Sequence, residues 1–354
     1  MKRFFIFLGI LIVLAAVAGA FTYQQYQAFL EKPVILAGEN NTFNIESGSS
    51  IRTVARQLAE KNILPESGIP YVKPEWLFRA HARVTKQASK IKAGEYPLEA
   101  GMAADDLLKR FTSGKTIQYQ IGFIEGRSYK DIFNSVKSHP DLVQTLTDDD
   151  YANIMTKLGA PEGTHPEGWF FPDTYNFPKG TTDLAVLQRS YDTMVDTLAK
   201  AWDSREVNPH LKTPYDALIL ASIVEKETGV PDERPLIAQV FLSRLDKGML
   251  LQTDPTVIYG MGDSYQGNIR KKDLRKDTPY NTYTRKGLPP TPISTVGKAA
   301  LDAVFNPEAT ESLYFVATGL GDGRHYFSRN YKEHRRAVIK YQLNGKKSRY
   351  QGDK

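Results

Sequence analysis

The strongest hydrophobic pattern in the chain is the segment Thr213–Gly229, whose residues 217–224 are apolar almost without a break. Its first residue is a typical helix N-cap, and Pro214 and Asp216 suit the first turn that follows. A helix that is apolar on every side is buried on every side. The pattern therefore predicts a central core helix, and Gly229 predicts that it ends in a left-handed turn.

Two carboxylates, Glu225 and Glu227, close this apolar segment. Residues two apart lie about 200° apart around a helix, so they cannot form one paired site. Glu227 continues a line of apolar residues through Leu220, Ile223 and Val224, whereas Glu225 continues a different line. Burial raises the pKa of a carboxyl and makes it a candidate general acid. Spacing alone does not choose between the two, and it also fits two exposed glutamates before a loop.

A strand–turn–helix pattern recurs in the N-terminal half, beginning at residues 43–64. AGEYPL precedes GMAADDLL at 101–108, and YQIGFIE precedes GRSYKDIFNSV at 126–136. Such units are either carbohydrate-binding modules or spacers, and the similarity is also compatible with unrelated local αβ units. Helices over 182–202 and 234–247 and strands over 313–316 and 325–328 complete the pattern. Together these elements predict a mixed α+β fold.

The N-terminus carries Lys2 and Arg3 and then eighteen apolar residues, 4–21. This run exceeds a usual signal-peptide core and approaches the length of a bilayer span. We therefore expect an uncleaved transmembrane anchor with its basic end in the cytoplasm and the rest of the chain outside. The small residues Ala16, Ala18 and Ala20 support the alternative of a cleaved signal peptide.

Composition narrows the chemistry. The chain has 354 residues, no cysteine and a net charge of +6. That charge suits nucleic acid, an anionic membrane surface or an acidic wall polymer, but no nucleic-acid-binding signature is present. The six histidines show no metal-ligand spacing, and no nucleophile-elbow or phosphate-loop motif occurs. What remains is carboxylate acid–base chemistry, without metal or cofactor, on a hydroxyl-rich substrate such as a glycan.

Several loops have the composition of sugar-binding loops. The segments 252–256, 279–283 and 287–293 are rich in hydrogen-bonding side chains, although such loops are also ordinary turns. The aromatic segment Glu167–Phe177 either lines a sugar groove or packs into the core beneath the main helix. We expect Trp169 within it mainly to support the fold.

The segment ASIVEKETGVPDERPLIAQVFLSRLDKGMLLQTDPTVIYG resembles the core of the MltG (YceG-like) family of endolytic murein transglycosylases. The motifs EGWFFPDTY (167–175), PYNTY (279–283), GLPPTPI (287–293) and LYFVA (313–317) occur in the same order. The resemblance runs from the N-terminal anchor to about residue 341. Several long motifs in one order are far more specific than any one of them.

The resemblance implies a domain organisation and a site. It implies an anchor over 1–22, a tether over 23–42, a small LysM-like domain over 43–118, a YceG-like catalytic domain over 119–341 and a basic tail over 342–354. The family's catalytic glutamate falls on Glu227, which is expected to lie on a buried helix of a mixed α/β catalytic domain. The expected sugar-binding residues are Gln252, Asp254, Tyr280, Asn281 and Tyr283.

The resemblance also implies a reaction. A lytic transglycosylase cleaves the bond between N-acetylmuramic acid and N-acetylglucosamine and leaves a 1,6-anhydro end, which would terminate a growing glycan strand. The expected setting is the bacterial inner membrane, with a single-pass anchor, a periplasmic catalytic domain, peptidoglycan as substrate, synthases as partners and no cofactor. Two alternatives remain: a non-catalytic wall-binding scaffold, and a muramidase in which water replaces the sugar hydroxyl.

Overall fold

The computed structural model describes residues 2–36, 41–205 and 208–350. The fold is mixed α+β, as the patterning predicts. The expected tether and basic tail include residues 37–40 and 351–354, which lie outside the described ranges. The chain forms two compact units, Met1–Tyr119 with Asn176–Thr181, and Gln120–Tyr175 with Thr182–Lys354.

In the residues that the structure describes, the first unit combines four helices with an antiparallel strand pair. These are α1 Lys2–Glu31, β1 Thr42–Ile45, α2 Ile51–Glu60, α3 Pro74–Val84, β2 Gly94–Pro97 and α4 Ala104–Ser113. Phe43 of β1 lies opposite Tyr96 of β2. Both rings pack against Phe111 of α4, with ring centroids 5.5 and 5.0 Å away. The first two strand–turn–helix units are thus confirmed, and they share one aromatic core.

The helix α1 is longer than the apolar run that predicts it. It is long and apolar enough to cross a membrane, and its residues from Phe4 to Phe21 are exposed. The helix then continues to Glu31, and its last turns enter the core of the first unit, where Phe29 is fully buried. The expected tether therefore begins as an unbroken continuation of the helix.

The second unit is mainly helical. Its helices are α5 Tyr129–Lys137, α6 Asp148–Ala152, α7 Ile154–Lys157, α8 Asp183–Asp203, α9 Pro214–Glu227, α10 Arg234–Asp246, α11 Asp254–Met261, α12 Lys271–Arg275, α13 Lys298–Phe305 and α14 Tyr331–Tyr341. The predicted apolar helix is α9, and α8, α10, α11 and α13 all contact it. Its residues 217–224 are buried without exception, so the predicted central core helix is confirmed.

Two further strand pairs are present, β3 Gln118–Gly122 with β4 Thr174–Pro178 and β5 Tyr314–Ala317 with β6 His325–Ser328. The division between the two units falls within β3 and β4. The hairpin of β5 and β6 is antiparallel and places Phe315 opposite Phe327. Both rings pack against the core around α9. The hairpin therefore packs against the same core as the central helix.

Candidate active site

The start of α9 follows its sequence. The Thr213 hydroxyl accepts a hydrogen bond from the Asp216 N–H at 3.2 Å, and the Asp216 carboxylate accepts one from the Thr213 N–H at 2.8 Å. This reciprocal cap satisfies two backbone donors that a helix start otherwise leaves unpaired. A helix fixed at its start and buried along its length presents its two terminal glutamates in one defined orientation.

The end of α9 differs from the prediction. Gly229 does not adopt the expected left-handed conformation, and the helix ends instead at Thr228, which is extended with φ −145° and ψ 137°. The Thr228 hydroxyl accepts a hydrogen bond from the Val230 N–H at 3.0 Å. A threonine turn thus replaces the glycine turn, and the chain passes directly into the short 3₁₀ turn Pro231–Glu233.

Glu225 belongs to the packing of the second unit. Its side chain is 5% exposed and lies 3.3 Å from the Arg234 guanidinium. Its other oxygen accepts a hydrogen bond from the Gly297 N–H, the N-cap of α13, at 3.1 Å. Burial raises the pKa of Glu225, and the Gly297 N–H and Arg234 oppose that rise. This glutamate therefore ties α9 to the starts of α10 and α13.

Glu227 faces a different environment. It is the last residue of α9 and lines a cleft of about 450 Å³. Burial raises the pKa of Glu227 to about 7, and the negative charge of Asp254 adds to the rise, while Thr253, His325 and Arg244 oppose it. The C-terminal end of a helix also disfavours a negative charge. The carboxyl is therefore poised to exchange a proton near neutral pH.

The partner of Glu227 is Thr253, whose hydroxyl donates to Oε1 of the glutamate. Thr253 occupies the N-cap position of α11 but makes no capping hydrogen bond with its side chain. Its backbone N–H donates to the Thr282 hydroxyl at 3.1 Å, and the Thr282 and Thr256 hydroxyls lie 2.9 Å apart. A buried threonine cluster thus holds the loop before α11 against the loop that contains Thr282.

Three of the five expected sugar-binding residues lie with Glu227 in the cleft: Gln252, Asp254 and Tyr283. The Tyr283 hydroxyl donates to the Asp254 carboxylate at 2.5 Å. Burial and this hydrogen bond raise the pKa of Tyr283, so the phenol keeps its proton. Gln252 is exposed and has a left-handed backbone with φ 49°. A non-glycine residue in that conformation is strained, which is a feature that clusters at binding sites.

The structure places Tyr280 and Asn281 elsewhere. Asn281 is 1% exposed, and its amide donates to the Leu274 and Lys276 carbonyls at 3.0 and 2.7 Å. Tyr280 bonds the Thr291 hydroxyl at 2.9 Å and does not line the Glu227 cleft. Both residues stabilise the loop that carries Tyr283, and Tyr283 reaches the cleft.

Residues that the sequence did not single out supply other parts of the cleft. His325 of β6 lines it, and Glu233 accepts hydrogen bonds from the His325 N–H at 2.9 Å and from its Nδ1 at 2.8 Å. Both Glu233 oxygens are therefore committed to one histidine. Because Nδ1 donates, Nε2 is the acceptor whenever the ring is neutral.

Arg244 also lines the cleft, but its guanidinium is hydrogen-bonded to backbone carbonyl oxygens. Its guanidinium donates to the carbonyls of Leu313 and Leu251 at 2.7 and 2.6 Å. It also lies 5.0 Å from the Tyr314 ring centroid. Arg244 therefore joins α10 to β5 and to the loop before α11. The segments that meet here are 69 and 7 residues from Arg244 along the chain, and no periodic pattern marks the arginine.

A second buried carboxyl, Glu167, lies in the aromatic segment. It is fully buried and lines a separate cavity of about 400 Å³ with Tyr259 and Tyr280. Burial raises the pKa of Glu167 to about 7. One oxygen accepts a hydrogen bond from the N–H of Tyr129, the first residue of α5, at 2.9 Å. Its other oxygen has no hydrogen-bond partner within the described part of the chain.

The aromatic segment itself packs inward. Trp169 lies against the core around α9 and stacks on Tyr215, with centroids 5.9 Å apart and planes 9° apart. Phe170 is fully buried. Neither Trp169 nor Phe170 lines the Glu227 cleft. Within the described ranges, the acidic and histidine side chains form no cluster suited to a metal ion.

A sequence model of the YceG-like family matches residues 43–340. An endolytic murein transglycosylase of Bacillus subtilis is 32% identical over 341 residues, which cover 92% of this chain and 91% of the relative. The chain belongs to the YceG-like family.

Two other comparisons agree with this assignment. An endolytic murein transglycosylase of Streptococcus pneumoniae is 27% identical over 371 residues, covering 96% of this chain and 65% of the relative. A 2.6 Å crystal structure of a YceG-like protein from Listeria monocytogenes is similar, with a TM-score of 0.51 and 29% identity. That match covers 84% of this chain and 99% of the other. Every residue that lines the Glu227 cleft, apart from Gln342, lies within the family match.

Proposed function

We propose that the chain is an endolytic murein transglycosylase in which Glu227 is the general acid and base. The observation that carries the proposal is a carboxyl with a pKa of about 7 in an open cleft, within the segment matched to the YceG-like family. At neutral pH such a group is present in both protonation states. A reaction that uses one carboxyl first as acid and then as base needs both.

In the first step, protonated Glu227 gives its proton to the oxygen that links N-acetylmuramic acid to the next N-acetylglucosamine. The bond from the anomeric carbon to that oxygen breaks, and positive charge develops on the ring. The Thr253 hydroxyl donates to Oε1 of Glu227 and stabilises the carboxylate that remains. Thr253 thereby keeps Glu227 oriented and lowers the cost of proton release.

In the second step, the C6 hydroxyl of the muramic ring attacks the anomeric carbon and passes its proton to the Glu227 carboxylate. A 1,6-anhydro ring closes, no water is consumed, and the acid is restored. Gln252, Asp254 and Tyr283 contact the sugars in this scheme. Tyr280 and Asn281 do not contact the sugars, since neither lines the cleft. Their role is to stabilise the loop that carries Tyr283.

The muramidase alternative rests on Asp254, a second carboxylate that lines the cleft with Glu227. A hydrolase needs such a group either to activate water or to act as nucleophile. Asp254 accepts a hydrogen bond from the Tyr283 hydroxyl at 2.5 Å, so one of its oxygens is already occupied within the protein. We therefore favour the transglycosylase and assign Asp254 to sugar binding and to stabilising the developing positive charge.

The proposal also covers the membrane anchoring of the chain, its compartment and its small domain. The helix α1 anchors the chain in the bacterial inner membrane by a single pass, with the catalytic domain over 119–341 in the periplasm. The region 43–118 is a LysM-like domain that contacts glycan. Cleavage within newly made strands terminates their elongation beside peptidoglycan synthases. An N-terminus near residue 21, found by sequencing the mature protein, would contradict the anchor.

The deciding experiment is mass spectrometry of the products released from purified sacculi by the full-length protein. A transglycosylase yields 1,6-anhydro ends, whereas a muramidase yields reducing ends that are heavier by one water. Glu227→Gln serves as the blank, and Glu225→Gln is the matched control on the same helix. A Glu227→Gln protein that still forms anhydro product would contradict the assigned acid.

A further inference from the structure

Residues 66–73, in the loop between α2 and α3, lie beside α1. A Cβ atom at Gly68 would collide with the end of the Gln25 side chain, so this side chain of α1 contacts the loop. The continuous apolar run of α1 ends at Phe21. Four residues of helix advance about 6 Å along the axis. The loop therefore meets the helix about 6 Å beyond the end of the apolar span.

This spacing corresponds to a definite level in a bilayer. A membrane has a hydrocarbon core of about 30 Å and a total thickness of about 40–45 Å, which leaves several ångströms of headgroup region on each side. The helix has no break between Phe21 and Glu31, and Phe29 is buried in the first unit. The loop is thus held at headgroup level by a rigid connection.

The loop is built to present a tyrosine at its tip. The Val72 N–H donates to the Ile69 carbonyl at 3.2 Å, which closes a β-turn with Pro70 and Tyr71 at its centre. The buried Ser67 hydroxyl donates to the Val72 carbonyl at 2.6 Å and accepts from the Ile69 N–H at 3.2 Å. These bonds hold the turn in one conformation.

Tyr71 is strained and fully exposed in that turn. Its φ is 61°, which suits glycine or asparagine at this position of a turn and not an aromatic residue. The residue is 99% exposed, so packing against the described part of the chain does not offset the strain. Such an outlier points to a function. Trp76, in the first turn of α3, is 50% exposed, and Tyr23 of α1 is also exposed.

We infer that Tyr71 and Trp76 form a second membrane contact, in which the first unit rests on the lipid headgroups beside α1. This inference rests on the proposed membrane anchoring by α1. Tyrosine and tryptophan favour the membrane–water interface because each combines an apolar ring with a polar group. The charged residues of this loop and of the first turn of α3 are Glu66, Lys73 and Glu75. They do not add up to a basic patch, so the contact is aromatic and does not require anionic lipid.

The experiment uses single cysteines, since the natural chain has none. Three full-length variants, Tyr71→Cys, Val13→Cys and Leu320→Cys, are labelled with a fluorophore and placed in phosphatidylcholine vesicles. Leu320 is an exposed residue of the second unit and serves as the solvent reference. The Tyr71 label should be shielded severalfold from aqueous iodide relative to the Leu320 label. It should also be quenched by a nitroxide carried on the lipid headgroup.

Each other outcome has one meaning. If the Tyr71 label is as accessible to iodide as the Leu320 label, the inference is overturned while the anchor stands. If it is shielded but not quenched by the nitroxide lipid, a second protein surface and not lipid covers it, and the inference is overturned. If the Val13 label is itself open to iodide, the anchor fails. None of these results depends on cleavage of glycan.

A matched pair of glycine substitutions separates strain from membrane contact. Tyr71→Gly and Lys86→Gly both replace exposed residues with positive φ, 61° and 56°. Both should raise the unfolding temperature by relieving strain. Only Tyr71→Gly should reduce the quenching of Trp76 fluorescence by brominated lipid. The part of the tryptophan emission that comes from Trp76 is identified as the part lost in Trp76→Phe. Equal quenching in both glycine variants would overturn the inference.

Discussion

Glu227 and Glu167 are two buried carboxyls of the second unit, and burial raises the pKa of each to about 7. Glu227 lies at the C-terminal end of α9 and lines an open cleft, where the Thr253 hydroxyl donates a hydrogen bond to it. Glu167 is fully buried and accepts the first backbone N–H of α5. Helix N-termini stabilise carboxylates and C-termini do not.

The contrast teaches that a raised pKa does not identify a catalytic acid. Burial alone produces the same shift at a residue that fastens a loop to a helix start and at one that can reach a substrate. The second requirement is access, and only Glu227 of this pair lines the cleft that also holds Asp254 and Tyr283. The following experiments test that distinction.

The largest effect is expected from Glu227→Gln, which keeps the shape of the side chain but removes the exchangeable proton. The rate of anhydro-product formation should fall by about 10²- to 10⁴-fold, the usual contribution of general acid–base catalysis. Glu167→Gln should keep most of the activity, because its oxygen can still accept the Tyr129 N–H. Rates on sacculi and melting curves for both variants check this. The comparison fails if Glu167→Gln loses as much activity as Glu227→Gln at unchanged stability.

The next effect concerns the packing beside Glu167. Trp169→Ala should lower the free energy of unfolding by about 3 kcal/mol, the lower end of the range for buried Trp-to-Ala changes, because Trp169 is partly buried and loses its stack on Tyr215. Urea unfolding measures this, with Trp76→Ala as a half-exposed control. Unchanged stability together with lost glycan binding would instead make Trp169 a groove residue.

Stability should also depend on pH through both carboxyls. A carboxyl whose pKa rises from 4.5 to about 7 on folding binds its proton more tightly in the native state. Its stabilising contribution is therefore complete below about pH 4.5 and is lost as pH rises through 7, by about 3 kcal/mol per group.

Glu167→Gln should flatten this decline, and adding Glu227→Gln should flatten it further. The free energy of unfolding measured from pH 5 to pH 8 checks the expectation, with exposed Glu46→Gln as a control. A decline of unchanged slope in Glu167→Gln would show that this glutamate stays ionised in the fold.

The smallest effect is expected at the edge of the cleft. Tyr283→Phe removes the hydroxyl that donates to Asp254. A hydrogen bond to a charged group contributes about 1.5–3 kcal/mol, so the rate should fall by about ten- to a hundredfold while the fold is kept. Tyr326→Phe, outside the cleft, is the control. Full activity in Tyr283→Phe would remove this residue from the site.

The elements with strong local patterns were predictable from the sequence. The cap of α9, its uniform burial and the helical spacing of α8 and α10 all follow from residues close together in the chain. The end of α9 could not be predicted in this way. Gly229 and Thr228 each favour a different turn, and the turn that forms is the one made by Thr228. The helix α3 was also missed, although Pro74 starts it and Phe78 and Ala82 bury one face.

The candidate site was predictable only in part, for a physical reason. Glu227 lies on a regular helix, where spacing determines direction. Tyr280, Asn281 and Tyr283 lie in a loop, where neighbouring side chains point to unrelated places, and only the last reaches the cleft. Glu233 and His325 are 92 residues apart, and their pairing follows from tertiary structure alone.

The turn after α9 carries a length constraint. Asp232 and Glu233 pair with Arg324 and His325, at 2.8 Å in each case. Two successive acidic residues thus pair with two successive basic ones, and both pairs depend on the number of residues between Glu227 and Asp232. A one-residue insertion or deletion there would shift both pairs at once. Insertional scanning should therefore find residues 228–231 intolerant of any change in length, while tolerating many substitutions.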